Sequence, residues 1–483
     1  MEISQRLLMF ILGRILLGLG LALLLPLSVS VSESAPAMLA FGMSSAGLLL
    51  LGALLCYVGR EHRRYLNVRE GAVFMVLVWF VMGAVGMVPY VLLGVLDPLD
   101  AFFESVSCFT TTGATCLGET ASPSLVLWRT MTQWLGGLNI LALIVTVVPQ
   151  VAGCFGLSLA ARQDIGASQT LHRMQQNAVG AAQAYVLFTI FAALLYILCG
   201  MGGFDALNWA LVTLPTGGRY ESAILSAEGS ALQQGALMLC MLLASGNFLL
   251  YWRAGKHRRW RDLAEDTEFR TFLGVVLFFG LVVSLHLWYV GLYDAGQSLR
   301  MGFFHVISFA STTGVGIGDF AGWPDFERYV LFILVFAGGC IGSSTGGLKI
   351  LRLLVLFKLA AAELRRTLHP RMVVDIKVDY LSVPAKVRSR ILNFFFLYMA
   401  VFALAVLLIC LSGLPVIDAM GVAASCLSSV GAAAMLTGGI ESFGQLAGWV
   451  KLLCCFLMIL GRLEIFSFLI VLQSGIKNVQ NKW

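Results

Sequence analysis

Two apolar runs open the chain, from Leu7 to Val31 and from Met38 to Val58. Each is long enough for a helix that crosses the roughly 30 Å hydrocarbon core of a bilayer. The first is too long for a signal-peptide core and contains Arg14, so both are read as retained helices. Beyond them one pattern runs four times: a long apolar helix, a semi-polar segment, a second long apolar helix and a basic linker. Such internal repeats organise a membrane fold before any single motif does. The chain accordingly divides into two N-terminal helices at 1–66 and four repeats at 67–178, 179–268, 269–385 and 386–483. The semi-polar loops fall at 99–118, 204–222, 300–320 and 417–436.

These segments read DAFFESVSCFTTTGAT from Asp100, DALNWALVTLPTGGRY from Asp205, MGFFHVISFASTTGVG from Met301 and DAMGVAASCLSSVGAA from Asp418. Each carries a glycine thirteen positions after its first residue: Gly113, Gly218, Gly314 and Gly431. Three begin with Asp-Ala, and an Asp there can cap a short helix. About eleven residues of mostly apolar helix, then a Thr/Ser-rich tract and the glycine, spell a half-helix that stops partway through the membrane and continues as extended backbone. Lipid cannot satisfy such backbone, which must be buried in protein or line a watery path. Four loops around a pseudo-fourfold axis meet that demand if their carbonyls face cations, and the C-terminal ends of half-helices add partial negative charge. The expected fold is all-α and integral to the membrane: four helix–pore-loop–helix repeats around a pseudo-fourfold central pore, plus two N-terminal transmembrane helices.

Composition excludes a water-soluble globular protein: of 483 residues 59% are hydrophobic and 12% charged, with a mean hydropathy of +0.88. Eleven cysteines show no metal-ligand spacing, and an odd count argues against a disulfide framework. Cys108 and Cys116 flank one loop and can approach each other, with packing as their ordinary role. The net charge of +6 sits in linkers rather than on a nucleic-acid face, so lipid is an expected partner and nucleic acid is not. Lys and Arg crowd alternate connections, such as Arg60, Arg63, Arg64 and Arg69, or Arg258, Arg259 and Arg261. The connections between them hold only Arg219 and Arg300, so both termini are expected in the cytoplasm. The Lys/Arg-poor side instead carries acids, Glu104, Glu221 and Asp319 among them, and a negative outer face concentrates cations.

Two other chemistries are open at this level. Gly316 to Asp319 spells GxGD and Tyr293-Asp294 supplies a YD pair, as in intramembrane aspartyl proteases, whose two carboxyls share a proton. Both acids, however, fall outside the predicted spanning helices and on one side. Symport of a cation coupled to Na+ or H+ would need an intramembrane proton relay, but the acids lie mainly at loop positions and His286 and His305 stand isolated.

TTTGAT, ASTTG, the tract AGGCIGSSTGGLKILRLLVLFK from Ala337 to Lys358, and GRLEIF from Gly461 to Phe466 occur in an order and spacing that resemble the Trk/Ktr/HKT superfamily of cation transporters, most closely the bacterial Trk membrane subunits. The resemblance covers nearly the whole chain and implies uptake of potassium across the bacterial inner membrane through a gated, channel-like pore, without enzymatic activity. Carbonyls can replace the hydration shell of K+ without a fixed charge that would trap it. The filter is assigned to Thr111, Thr112 and Gly113; Thr216, Gly217 and Gly218; Thr312, Thr313 and Gly314; and Ser429, Val430 and Gly431. In the family, glycine at all four key positions goes with K+ selectivity and serine at the first with Na+ permeation.

Gly338, Gly339, Gly342, Gly346 and Gly347, with Ser343, Ser344 and Thr345, interrupt an apolar helix, and glycines cost about 1 kcal/mol each in a helix interior. A patch of close helix packing is the alternative. The resemblance makes 337–347 an intramembrane gating loop, followed by Lys349 and Arg352. Arg462 is an intramembrane charge and so a functional candidate; the resemblance places it near the gate as an electrostatic barrier, and a salt bridge to Glu464 is the alternative. The family also implies a homodimer with one pore per protomer and a soluble nucleotide-binding Trk regulatory subunit docked on the basic linkers. No covalently bound cofactor is expected, and K+ is the transported ion. Departures from the family pattern are Arg219, which would need an acid such as Glu221 or Glu104 beside it, SSVGAAAM in the fourth tract, GGLN from Gly136 to Asn139 and RQDIGA from Arg162 to Ala167.

Overall fold

The computed structural model describes residues 5–60, 68–118, 122–146, 167–218, 220, 230–369, 375–379, 381–437 and 442–463. The chain opens on an antiparallel helical hairpin, Gln5–Ala22 continued by Leu24–Ser30 against Ala35–Val58. Ser34 caps the second arm by accepting a hydrogen bond from the Ala37 amide at 3.4 Å. Small residues let the arms touch: a β-carbon on Gly52 would lie 2.9 Å from the Gly13 carbonyl oxygen, and Ser45 Oγ donates to the Gly20 carbonyl at 2.8 Å.

Four units follow, each a long helix, a short helix and a return helix. The short helices are Pro98–Phe109, Gly203–Thr213, Ala295–Ala310 and Val416–Ser428. The long helices that precede them are Val68–Gly86, Ala167–Leu198, Thr267–Tyr289 and Ala385–Cys410. Burial is inverted relative to a protein in water. Leu187, Phe278 and Leu407 on the long helices are 67%, 61% and 63% exposed, whereas Thr111, Thr216, Thr312 and Ser429 are fully buried. An apolar exterior around a hydroxyl-rich interior is what lipid requires. Five helices among the described residues are long and apolar enough to span a membrane, Gln5–Ser30 counted as one from Arg6.

Three expectations need correction. Asp100, Asp205 and Asp418 do not cap their helices; each is the third helical residue, where a carboxylate meets the positive helix end without bonding a cap amide. Asp100 is instead paired with Lys451 Nζ at 2.6 Å. In the third unit the helix starts six residues before Met301, because Asp294 caps it by accepting from the Gln297 amide at 3.1 Å. The second unit's return helix is not continuous: Ala231–Ser245 and Phe248–His257 meet at 90°. Gly246 and Asn247 make that break, Asn247 Oδ1 accepting from the Leu249 and Leu250 amides at 3.0 and 3.3 Å.

The third unit's return helix is broken where its glycines cluster, into Asp325–Val335 and Ile350–Leu368. A two-stranded hairpin, Lys377–Val378 with Leu381–Ser382, packs on the latter through Ile376, Val378 and Val383.

Gly52→Val is expected to lower the midpoint of thermal unfolding in detergent, since overpacking of this kind costs about 1–3 kcal/mol. Gly47→Val, where nothing lies within 4 Å of the added carbon, is the matched control and should leave the midpoint in place.

Candidate ion-permeation site

Each short helix ends in the same way. Two residues before the glycine, Thr111, Thr216, Thr312 and Ser429 adopt left-handed φ values of 53°, 56°, 56° and 57°. The next amide turns back onto the carbonyl five residues earlier: Thr112 to Ser107 and Gly217 to Val212 at 2.8 Å, Thr313 to Ser308 and Val430 to Ser425 at 2.9 Å. This is the 6→1 bond of a Schellman turn, which satisfies helix-end carbonyls inside the protein. A β-branched residue in the left-handed region is a true outlier, costing about 1–2 kcal/mol. Three threonines held there at equivalent positions mark a backbone shaped for a task.

The turns meet one another. A β-carbon on Gly218 would lie 2.9 Å from Gly113 Cα, 3.2 Å from the Thr112 oxygen and 3.5 Å from the Thr313 oxygen. One on Gly314 would lie 3.5 Å from the Gly431 nitrogen, and one on Gly431 2.7 Å from the Gly113 oxygen. Gly113, Gly218 and Gly314 have φ of 76°, 92° and 70°, so the backbone angle disfavours a side chain at all three, and at Gly218 the close approach of Gly113 does so as well. Beyond the glycine, Ser107 and Ser308 donate to the carbonyls of Ala114 and Val315 at 2.6 and 2.7 Å, pinning the outgoing strand to its own helix.

The fourth tract departs from the extended backbone expected of it. Gly431 is not left-handed, Ser425 Oγ bonds the Gly431 carbonyl itself at 3.0 Å, and residues Gly431–Thr437 wind into a 3₁₀ helix. Its Ala432–Ala434 run favours helical backbone. Gly431 N–H reaches across to the Thr112 carbonyl at 2.7 Å.

The segment between the halves of the third return helix lies under the turns. Ser344 Oγ donates to the Leu214 carbonyl at 2.7 Å, and the Gly346 amide to Thr312 Oγ1 at 2.8 Å. A β-carbon on Gly346 would lie 3.2 Å from Ser429 Cβ. Arg462 completes the set: its Nε donates to the Thr110 carbonyl at 2.5 Å, its Nη1 to the Ser344 carbonyl at 2.7 Å and its Nη2 to Thr111 Oγ1. Lys349 bends back to donate to the Thr345 carbonyl at 2.5 Å. Gly338, Gly342 and Gly347 are all left-handed, and Gly339 packs its α-carbon against the Ser245 carbonyl. Ser343 Oγ donates to the Cys340 carbonyl at 2.6 Å.

Several residues that hold this segment escaped the sequence reading. The Cys340 amide donates to the Ser245 carbonyl at 2.8 Å and the Phe248 amide to the Gly342 carbonyl at 3.2 Å, so the break in the second unit receives the segment. Glu268, buried at the start of Thr267–Tyr289, accepts from the Ile341 amide at 2.6 Å. The breaker pair Gly246-Asn247 was the available signal for the first; an acid just inside a long apolar helix was the signal for the second.

Other expectations resolve individually. Glu104 is not a solvated outer acid: it is fully buried and paired with Arg129 at 2.7 Å. His286 is not isolated, its Nδ1 lying 2.5 Å from buried Glu327. Asp319 accepts from the Gly322 amide at 3.1 Å in a local turn, and Asp294 is the helix cap described above, so each has a structural partner of its own. Cys108 and Cys116 are both free thiols beside Glu104. Arg219, Glu221 and Glu464 lie outside the described residues.

A family model described as TrkH, cation transport protein, matches residues 40–478. The Trk system potassium uptake protein TrkH of Halomonas elongata is 32% identical over 432 residues, 87% of this chain and 88% of that protein. TrkG of Escherichia coli, also named a Trk system potassium uptake protein, is 30% identical over 433 residues, 88% of each. The crystal structure of the potassium transporter TrkH from Vibrio parahaemolyticus superposes with a TM-score of 0.87 at 29% identity, covering 97% of this chain and 98% of that one. Family match, sequence identity and fold thus lead to one assignment: the chain belongs to the TrkH family of cation transport proteins.

Proposed function

We propose that this protein is a transporter that takes up potassium across the bacterial inner membrane through a gated, channel-like pore, with no enzymatic step. The observation that carries the reading is the fourfold recurrence of the left-handed Schellman turn at glycines that pack against one another. Carbonyls of Thr111–Gly113, Thr216–Gly218, Thr312–Gly314 and Ser429–Gly431 replace the hydration shell of K+ around a pseudo-fourfold axis, those of Thr112 and Gly431 while also accepting from the Gly431 amide and from Ser425 Oγ. No formal charge is needed at the ion, so it can leave as readily as it binds.

The segment 337–347 is the gate, supported by its contacts beneath the second, third and fourth turns and, through Arg462, with the first. Arg462 adds a half-buried cation beside the carbonyls of Thr110 and Thr111, and a K+ ion passing that point meets it at close range. Basic linkers orient this end and both termini toward the cytoplasm. The same linkers offer a docking face for a nucleotide-binding Trk regulatory subunit, and the protein works as a homodimer with one pore in each protomer.

Purified protein in liposomes should pass K+ down its gradient and show a reversal potential displaced toward K+ under opposing K+ and Na+. Equal permeabilities would overturn the K+ assignment, and net uptake driven only by a proton gradient would overturn the channel. Gly113→Ser, which adds a side chain at φ 76°, is expected to raise Na+ permeation about tenfold relative to K+ in the same recording. Arg462→Ala removes charged hydrogen bonds worth about 1.5–3 kcal/mol each, one to Ser344 of the gate and the others to Thr110 and Thr111, and should raise K+ flux about tenfold.

A further inference from the structure

Counting from the glycine of each turn, position −9 lies on the short helix and position +3 on the outgoing strand. In the first repeat these are Glu104 and Cys116, in the third His305 and Ile317. In both, the −9 side chain accepts a hydrogen bond from the +3 amide: Cys116 N–H donates to Glu104 Oε2 at 2.8 Å and Ile317 N–H to His305 Nε2 at 3.1 Å. Both side chains are fully buried. Positions −9 and −6 share one helix face, and the carbonyl of +1 and the amide of +3 share one side of an extended strand. The serine at −6 takes the first and the −9 residue takes the second, so the strand is strapped at two successive points.

Each −9 residue is itself held in one orientation. Glu104 also receives Arg129 Nε at 2.7 Å and Thr115 Oγ1 at 3.0 Å. His305 Nδ1 lies 2.8 Å from the Met301 carbonyl and must donate to it, which leaves Nε2 as the acceptor that Ile317 requires. The ring sits against Trp323 and Phe320, at centroid distances of 4.5 and 5.3 Å. A carboxylate in one repeat and an imidazole in another make the same bond, so the bond and not the residue type is what the two strands share. The fourth repeat supplies the contrast. Its −9 residue is Val422, which has no acceptor, and its strand curls into the 3₁₀ helix, Ala433 N–H bonding the Val430 carbonyl at 2.9 Å. In the second repeat Trp209 occupies −9 and packs edge-on against Tyr220, whose hydroxyl donates to Asp205 at 2.5 Å.

We propose that Glu104 and His305 are positioning residues for ion selectivity, holding the strands after Gly113 and Gly314 extended so that the glycine carbonyls keep their aim. The inference rests on the potassium-pore reading above. Its test is the bi-ionic K+/Na+ reversal potential of the full-length protein in liposomes, for the wild type, His305→Phe, His305→Gln and Glu104→Gln. His305→Phe keeps a ring but loses the acceptor, and the K+/Na+ permeability ratio should fall about three- to tenfold, the factor that one lost hydrogen bond corresponds to. His305→Gln, whose amide oxygen can receive the Ile317 N–H, should recover part of the loss. Glu104→Gln should lower the ratio as well, because one amide oxygen cannot serve three donors. A wild type without K+ preference would sink the pore reading itself. A selective wild type whose ratio is unmoved in folded His305→Phe and Glu104→Gln, even with a lower thermal midpoint, would overturn the strap.

Discussion

The structure turns on one constraint: non-helical backbone is held deep in a protein whose exterior is apolar, and every polar group on it must find a partner inside. The four Schellman turns meet that constraint first, since each folds the end of a short helix back on itself with a left-handed residue that is not glycine. Seven non-glycine residues among those described have positive φ; four are these turns and a fifth, Lys349, ends the segment beneath them. Threonine pays a conformational penalty there that glycine would avoid. The hydroxyls account for its presence: Thr111 Oγ1 receives Arg462 and Thr312 Oγ1 receives the Gly346 amide. A glycine at these positions would relax the backbone and leave Arg462 and the Gly346 amide each short of one partner.

Near-symmetry then limits how much the four tracts can differ. The first and third match closely, with serine at −6 and a side-chain acceptor at −9. The fourth keeps the serine but lacks the acceptor, and the result is a helical exit and an amide, that of Gly431, bonded to the carbonyl of Thr112. Ser429 Oγ, at the position where the other turns carry threonine, is buried with no partner among the described residues. The local chemistry of one strand therefore propagates to its neighbour, because the tracts are packed too tightly for any of them to change alone.

Hydrophobic periodicity and the thirteen-residue spacing made the repeats, the short helices and the turn glycines legible, since each follows from a period or a count within one segment. The five glycines of 338–347 likewise announced a break. What stayed hidden depends on contacts between distant segments. Glu104 reads as an outer acid until Arg129, on another helix, is placed beside it, and His286 reads as isolated until Glu327 arrives from 41 residues away. The break at Gly246-Asn247 was misread for the opposite reason. A strongly apolar surround outweighed a local signal that did carry the answer: Asn at an N-cap directly after Gly. The spacing of Glu104 with Ser107, and of His305 with Ser308, was also visible as paired polar positions three apart on otherwise apolar helices.

The segment under the turns has two sets of attachments that divide along its length. Residues 340–342 are tied to the surrounding frame: Cys340 to Ser245, Ile341 to Glu268 and Gly342 to Phe248. Residues 344–346 are tied to the turns and to Arg462: Ser344 to Leu214 and to the guanidinium, Gly346 to Thr312. The two sets meet at Ser343, whose Oγ donates to the Cys340 carbonyl at 2.6 Å and lies 2.7 Å from Thr345 Oγ1, and Thr345 Oγ1 in turn accepts from the Gly339 amide at 3.0 Å. The frame side also reaches outward. Asp379, in the turn of the small hairpin, accepts from the Thr267 amide at 3.1 Å, one residue before the Glu268 that holds Ile341. The hairpin and residues 340–342 are thus fastened to the same helix start, at Thr267 and Glu268, while Ser344 and Gly346 are bonded to the turns and to Arg462.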